Sequence, residues 1–253
     1  MGDFAYVKDG VTHVAQLPSA REEVVPGVCW DDPCALFSPA YWHTQYLMTR
    51  CLGPGEPTFR IATTFEEELT ACVLGGHGIP AEVALAAFAH LREAGLIANL
   101  CADEVRIENE LAKPIKLGER HVRYRFFAQK ARYLAAIYKE LESRRLCMNN
   151  AVELRDELVS LPGIGPKTAS FIVRNWLGSN EVAILDIHIV RAGILAGLYS
   201  KRDSVQTHYK SMETRFVTFA RGLDVPTASL DVLMWVTMRQ TPRLVRKMLA
   251  NVR

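Results

Sequence analysis

The stretch Leu161-Pro162-Gly163-Ile164-Gly165-Pro166-Lys167-Thr168-Ala169-Ser170 places two glycines around one apolar residue, between two segments with helical periodicity. Glycine at both positions removes the side chains that would block close approach of a backbone phosphate. Amides exposed at such a turn, and at the N-terminus of the following helix, point at an anion. The stretch therefore predicts a helix, a turn and a helix that bind a nucleic-acid backbone. A plain connecting turn is the alternative, because most glycine-containing turns only join helices.

The composition is that of an ordinary folded protein. The chain has 253 residues, of which 49% are hydrophobic and 23% charged, and its formal net charge of +2 is too small to indicate nucleic-acid binding alone. The six cysteines show no paired CxxC spacing, and no HExxH motif occurs, so we expect no structural metal. Without an N-terminal signal or an apolar run of about 20 residues, we expect a protein that is not secreted. In a prokaryote it would be cytoplasmic and associated with the nucleoid.

Patterning predicts an all-α fold with a small N-terminal β-hairpin. Asp9-Gly10 separates two β-prone runs, as a tight two-residue turn requires. The segment Gly53-Pro54-Gly55-Glu56-Pro57 is the best boundary candidate. We therefore predict an N-terminal extension over residues 1–57 and a helical domain over 58–253.

Helical periodicity and capping residues place the helices. Ser38 is a predicted N-cap with Pro39 in the first turn, and Thr64 opens a capping-box-like Thr-Phe-Glu-Glu. In the long segment from Tyr124, Phe127 is predicted to face inward and Lys130 outward. The other predicted helices begin at Pro80 or cover residues 151–160, 185–199, 204–221, 227–238 and 243–252.

The string Leu-Pro-Gly-Ile-Gly-Pro-Lys-Thr-Ala resembles the hairpin of the helix-hairpin-helix DNA glycosylase superfamily. In that superfamily a lysine at the position of Lys167 marks the bifunctional glycosylase/AP lyases. The segment Leu185-Asp186-Ile187-His188-Ile189-Val190-Arg191 resembles the one that carries the catalytic aspartate, here Asp186. The resemblance implies two helical subdomains with the hairpin and the active site at the cleft between them. It also implies phosphate binding by Gly163, Ile164, Gly165 and Lys167.

This pair of residues suits the chemistry. A fixed carboxylate, Asp186, can stabilise positive charge on the sugar as an N-glycosidic bond breaks. The amine of Lys167 can attack the sugar C1′ when it is neutral, and the adduct opens to a Schiff base from which β-elimination cuts the strand. The alternatives are a plain phosphate contact for Lys167 and a helix N-cap for Asp186. His188 is interpreted as a packing or hydrogen-bonding residue rather than a general base, and Arg191 as a phosphate contact or the partner of an acid.

Two further stretches are similar to the archaeal-type 8-oxoguanine DNA glycosylases. They are Arg125-Phe126-Phe127-Ala128-Gln129-Lys130-Ala131-Arg132-Tyr133 and Leu230-Asp231-Val232-Leu233-Met234-Trp235. The family implies that Phe126 and Trp235 sandwich the flipped base. Phe127 could replace Phe126, and Trp235 could be a core residue. No cysteine follows Cys147, which excludes the iron–sulfur cluster of other branches; at most a monovalent cation is implied, at the hairpin.

The resemblance covers about Thr58 to Leu244 and departs from the family in three respects. Ala128 replaces the family's Asn, and the chain continues beyond the tryptophan, near which the family's chain ends. The N-terminal residues before Thr58 have no counterpart in the family. His77 or Ile79 is a candidate wedge for the gap left by the flipped base. Basic residues predicted to support phosphate binding are Arg120, Arg123, Arg125, Lys130, Arg132, Arg239, Arg243, Arg246 and Lys247.

We therefore predict a monomeric glycosylase/AP lyase that acts on a damaged base in double-stranded DNA. The base is expected to be an oxidised purine, 8-oxoguanine first. Excision of another damaged or modified base is the alternative within this class. A non-catalytic DNA-binding module is the alternative of another class.

Overall fold

The computed structural model describes residues 2–8, 10–50, 60–76 and 78–252, and over these ranges the protein is mainly helical. The predicted fold class is confirmed. The helices are α1 (Pro39–Thr49), α2 (Phe65–Leu74), α3 (Ala81–Glu93), α4 (Glu104–Ala112), α5 (Phe127–Ser143), α6 (Ala151–Val159), α7 (Pro166–Leu177), α8 (Ile187–Leu195), α9 (Val205–Gly222), α10 (Thr227–Gln240) and α11 (Pro242–Asn251). The strands form three antiparallel pairs: β1 (Gly2–Lys8) with β2 (Val11–Leu17), β3 (Glu23–Val25) with β4 (Val28–Cys29), and β5 (Ile115–Leu117) with β6 (Arg120–Val122).

The chain forms two compact units. The central unit consists of the described residues of Thr58–Ser179, and the terminal unit combines those of Met1–Pro57 with those of Asn180–Arg253. The predicted functional division at residue 57 stays a prediction. In terms of packing, however, the N-terminal segment joins the end of the chain instead of forming a body of its own.

The N-terminal segment supplies much of the hydrophobic core of the terminal unit. The aromatic side chains of Trp30, Phe37 and Trp42 lie in one buried cluster with residues of α8, α9 and α10. The Nδ1 atom of His43 lies 2.7 Å from the carbonyl oxygen of Leu223, a residue 180 positions later. These contacts bury large apolar surfaces, the main favourable term in folding.

A glycine permits one close approach in this unit. A Cβ atom added at Gly222 would lie 2.5 Å from the carbonyl oxygen of Val24, a backbone atom that cannot easily move aside. The last turn of α9 therefore packs against β3 only because residue 222 has no side chain.

The predicted N-terminal hairpin is confirmed. β1 and β2 pair from Gly2 opposite Leu17 to Lys8 opposite Val11. Gly10 has φ +77°, while Asp9 of the predicted turn lies outside the described residues. The rings of Phe4, Tyr6 and His13 stack along one face of the hairpin.

A buried carboxylate fixes the helix that follows the glycine-rich turn. Glu68 of α2 is fully buried, and its Oε1 accepts a hydrogen bond of 2.9 Å from the side-chain amide of Asn175 in α7. Its Oε2 accepts from the backbone amides of Ile61, at 2.7 Å, and Ala62, at 3.0 Å. Three neutral donors thus satisfy the carboxylate inside the central unit, which a buried charge requires. The consequence is a fixed position of α7 on α2.

Capping predictions at two helix starts are confirmed. The Oγ of Ser38 accepts from the amide of Tyr41 at 3.0 Å, and the Oγ1 of Thr64 accepts from Glu67 at 3.2 Å. The prediction that Phe127 faces inward is wrong, because this side chain is 36% exposed at the start of α5.

Helix α4 and the pairs β3–β4 and β5–β6 were not predicted. None of the helices in the described ranges combines the length and hydropathy needed to cross a membrane.

Candidate active site

The turn between α6 and α7 is shaped by a tyrosine beneath Gly163. Gly163 has φ +76°, and a Cβ added there would lie 2.2 Å from Cδ2 of Tyr133, in α5. Only glycine adopts this backbone conformation readily and leaves room for the ring. The first glycine of the turn is therefore explained by packing within the central unit.

No contact with a described residue requires a glycine at position 165. Gly165 is the N-cap residue of α7 with φ −87°, and a Cβ added there would lie more than 4 Å from every atom that the structure describes outside its immediate neighbours. The amides of Gly163, Gly165, Lys167 and Thr168 donate no hydrogen bond to a described residue. By contrast, the amide of Ile164 donates to the carbonyl oxygen of Leu161 at 3.3 Å. Exposed amides at a helix N-terminus, beside a residue without a side chain, form a surface that an anion can approach.

Lys167 lies in the first turn of α7, directly after Pro166. Its side chain is exposed, and its ammonium group has no ion-pair or hydrogen-bond partner among the residues that the structure describes. A lysine at a helix N-terminus is opposed by the helix dipole, so this position does not stabilise the helix. The amine is available to a ligand that approaches the turn.

Asp186 is the N-cap residue of α8. One oxygen, Oδ1, accepts hydrogen bonds from the amides of His188 at 2.7 Å and Ile189 at 3.0 Å. The other oxygen, Oδ2, accepts no hydrogen bond from any described residue. Asp186 therefore caps α8, as the alternative interpretation of the sequence predicted. Capping also orients the carboxylate, because Oδ1 is held by two amides while Oδ2 accepts no hydrogen bond from the described residues.

The three residues before Asp186 are held by buried side chains of α9 and α10. Consecutive backbone amides donate to side-chain oxygens at 3.1–3.2 Å: Ala183 to Glu213, Ile184 to Asp231 and Leu185 to Tyr209. Asp231 belongs to the family-like stretch Leu230 to Trp235, and the sequence did not predict this contact. The carboxylate of Asp186 therefore extends from a backbone that is fixed on both sides.

Trp235 lies in the same unit as Asp186 and contacts His188. The two rings are 6.2 Å apart between centroids, edge to face, and the guanidinium of Arg239 lies 4.9 Å from the indole centroid. Trp235 is half-buried and packs against the core of the terminal unit, and its role in stacking on a base stays a prediction. The Nδ1 atom of His188 is buried and has no hydrogen-bond partner among the described residues. An unsatisfied buried nitrogen next to an aromatic face suits a polar ligand atom.

Phe126 and Phe127 differ in their surroundings. Phe126 is half-buried at the N-cap position of α5, and the guanidinium of Arg125 lies 5.1 Å from its ring centroid. Phe127 is exposed and stacks on no other ring in the described part of the chain, so neither side chain is a core residue of α5. The choice between them as a base-stacking residue stays a prediction.

The turn after α2 is held by a half-buried lysine, Lys130. Lys130 Nζ donates to the carbonyl oxygens of Val73 at 2.6 Å and Gly75 at 3.1 Å. The Oη of Tyr124 donates to the carbonyl oxygen of Leu74 at 2.5 Å. The C-terminal carbonyls of α2 are thereby satisfied, as a helix end requires. The prediction that Lys130 faces solvent is wrong: it is half-buried, and burial lowers the pKa of its amine.

Ile79 follows this turn and is half-buried, with its amide 3.2 Å from the carbonyl oxygen of Gly76. The other candidate wedge, His77, lies outside the described residues.

The candidate residues are divided between the two units. Lys167, Phe126 and Ile79 belong to the central unit, and Asp186, His188 and Trp235 belong to the terminal unit. No group of three or more His, Cys, Asp or Glu residues within the described ranges could hold a metal ion.

A family profile described as Ogg-HhH, 8-oxoguanine DNA glycosylase, matches residues 60–225. The chain belongs to this family. The match includes the glycine-rich turn, Lys167 and Asp186, and the resemblance noted from the sequence is confirmed. Trp235 and α11 lie beyond the part of the chain that the Ogg-HhH profile covers.

Curated relatives are described as 8-oxoguanine DNA glycosylase/AP lyases. An 8-oxoguanine DNA glycosylase/AP lyase of Metallosphaera sedula is 34% identical over 116 residues, which are 44% of this chain and 57% of that protein. One of Saccharolobus solfataricus is 31% identical over 123 residues, 45% of this chain and 58% of that protein. The chain thus spans a little over half of the length of these relatives.

A solved structure shares the fold. The crystal structure of the 8-oxoguanine DNA glycosylase of Thermotoga maritima matches 78% of this chain and 88% of its own, with a TM-score of 0.52 and 22% sequence identity. The helical fold is therefore that of this glycosylase.

Proposed function

We propose that the protein is a bifunctional DNA glycosylase/AP lyase that excises an oxidised purine, 8-oxoguanine first, from double-stranded DNA. The observation that carries the proposal is a family match whose residues include both an unpaired lysine at the glycine-rich turn and a carboxylate with one free oxygen among the described residues. The relatives described as 8-oxoguanine DNA glycosylase/AP lyases support the choice of base.

Duplex binding is assigned to the turn between α6 and α7. A DNA phosphate would approach Gly165, where no described residue obstructs it, and accept hydrogen bonds from the amides at the start of α7. Phosphate contacts of this kind position the protein on the duplex without reading its sequence. They explain how the protein holds DNA but not which base it removes.

Bond cleavage is assigned to Lys167 and Asp186. The neutral amine of Lys167 forms a bond to the sugar C1′ while the N-glycosidic bond breaks and the base leaves with the bonding electrons. The free Oδ2 of Asp186 stabilises the positive charge that develops on the sugar. Opening of the sugar ring gives a Schiff base on Lys167, and loss of the C2′ proton then expels the 3′ phosphate by β-elimination.

Base recognition is assigned to Trp235 and Phe126, which offer flat aromatic faces to a base taken out of the stack. Trp235 is held in place by His188 and Arg239. The Nδ1 of His188, which has no hydrogen-bond partner among the described residues, supplies a polar contact at the edge of this face.

Borohydride trapping tests the proposal. Wild-type protein incubated with a duplex containing 8-oxoguanine should give a covalent protein–DNA adduct, and Lys167→Gln should give none. Lys139→Gln is a matched control, because Lys139 is an exposed lysine of α5 outside the site. Base release without a trapped adduct would disprove the role of Lys167. Duplex binding without release of any base from a panel of damaged purines would identify a non-catalytic module instead.

A further inference from the structure

The end of the chain is far more basic than the remainder. Residues 232–253 contain five Lys or Arg residues and no Asp or Glu, whereas the whole chain has a formal net charge of +2. The residues before them therefore carry a formal net charge of −3 (+2 − 5). Such charge asymmetry in one segment indicates an anionic partner.

Three of these cations lie on one face of α11. Arg243, Arg246 and Lys247 follow the spacing i, i+3, i+4, which brings side chains together on a helix surface. All three are exposed, and none makes an ion pair with another described residue. Within the described chain their one polar contact is a hydrogen bond of 3.3 Å from Nε of Arg246 to the carbonyl oxygen of Pro242 in the same helix.

This arrangement does not stabilise the helix. Like charges at i, i+4 repel, and Arg243 stands in the first turn, where the helix dipole disfavours a cation. α11 contains no acidic residue that would offset either effect. The cationic face is therefore more readily explained by a ligand than by the stability of the fold.

The opposite face of α11 is already occupied. Val245 is buried, and Met248 and Leu249 pack against the hydrophobic core of the terminal unit. An amphipathic helix that inserts into a membrane surface needs a free apolar face. The exposed surface of α11 has one large apolar side chain, Leu244, beside three cations, so a polyanion fits it better than a lipid surface.

We propose that the face of α11 formed by Arg243, Arg246 and Lys247 is a second contact with the DNA backbone, additional to the turn between α6 and α7. α11 packs against α8, the helix capped by Asp186, so this surface belongs to the same unit as the proposed catalytic carboxylate. The contact is independent of base identity. It rests on the proposed function only in taking duplex DNA as the polyanion.

The salt dependence of duplex binding tests this surface. The variant R243Q/R246Q/K247Q should bind undamaged and 8-oxoguanine duplexes more weakly, and to the same degree. The slope of log K against log[salt] should become shallower by about one for each phosphate that the variant no longer neutralises. The charge-matched control R21Q/R50Q/R221Q removes three exposed cations of the same unit and should leave the slope unchanged. If the triple variant unfolds, the single variants, each with a smaller change of slope, provide the same test.

The outcomes separate this inference from the proposed function. A shallower slope in a protein that releases no base would uphold the surface and refute the glycosylase. Base release with a wild-type slope in the triple variant, or an equal change in the control, would overturn the surface. It would also be overturned if the triple variant no longer bound phosphatidylserine vesicles while its DNA slope stayed unchanged.

Discussion

The ring of Tyr133 occupies the space in which Gly163 would carry a side chain, with 2.2 Å between the added Cβ and the nearest ring carbon. Two residues further on, Gly165 has open space at the same position. Packing against Tyr133 thus requires a glycine at position 163, whereas a glycine at position 165 leaves the protein surface open to a ligand. This difference can be measured.

Gly163→Ala should lower the free energy of unfolding by about 1–3 kcal/mol, because the new methyl group overpacks against Tyr133 and the backbone conformation is strained. Thermal or urea unfolding measures the loss. In the double variant Gly163→Ala/Tyr133→Ala the clash is removed, but the free energy of unfolding should recover only in part. The reason is that φ +76° still disfavours alanine at position 163. An alanine at 163 with wild-type stability would contradict the packing described for the turn.

Gly165→Ala should change the free energy of unfolding by no more than about 1 kcal/mol, the cost of an alanine at a helix N-cap. Its affinity for duplex DNA should fall, because the methyl group stands where a phosphate approaches. Fluorescence anisotropy with an undamaged duplex measures this effect. Wild-type affinity in the folded variant would remove Gly165 from the DNA contact.

Lys130→Met should lower the free energy of unfolding by about 1–3 kcal/mol, since two carbonyl oxygens at the end of α2 lose their donor. Lys130→Arg keeps donors and should lose less. Lys139→Met is the control on the same helix, and its exposed side chain should make little difference to the unfolding transition. Equal effects at 130 and 139 would show that the buried contacts of Lys130 contribute no stability.

Asp186→Asn and Asp186→Ala should separate the structural role of this residue from its proposed chemical role. Asparagine caps helices as well as aspartate, so Asn should preserve stability, while Ala should cost about 1 kcal/mol. Both should abolish base release, because neither carries a negative charge. Single-turnover excision and thermal unfolding on the same preparations provide the two measurements. Excision that survives in the Asn variant would exclude charge stabilisation by Asp186.

Much of the fold was readable from the sequence because the signals are local. Ser38 and Thr64 cap their helices as predicted, and the N-terminal strands pair around Gly10. The family, too, followed from contiguous motifs around Lys167 and Asp186. Short elements such as β5 and β6, with three residues each, are too brief to produce a periodic pattern.

The sequence did not reveal contacts between residues distant along the chain. Lys130 appeared to belong to the solvent face of α5, and nothing in its neighbourhood indicated that its amine reaches the carbonyls of Val73 and Gly75. The same holds for Tyr133 beneath Gly163, thirty positions away, which only the folded chain brings together. The packing of the first fifty residues against α9 also had no local signal, because apolar periodicity indicates a buried face but not its partner.

The contact between His43 and Leu223 has a consequence for synthesis on the ribosome. The partners of the N-terminal aromatic residues are made about 180 positions later, so Trp30, Phe37 and Trp42 emerge long before their core exists. The central unit, whose residues are continuous in sequence, can complete its own contacts in the interval. Trp30, Phe37 and Trp42 can therefore be buried in this core only after residues 183–245 have been made, and their apolar surface stays exposed in the nascent chain until then.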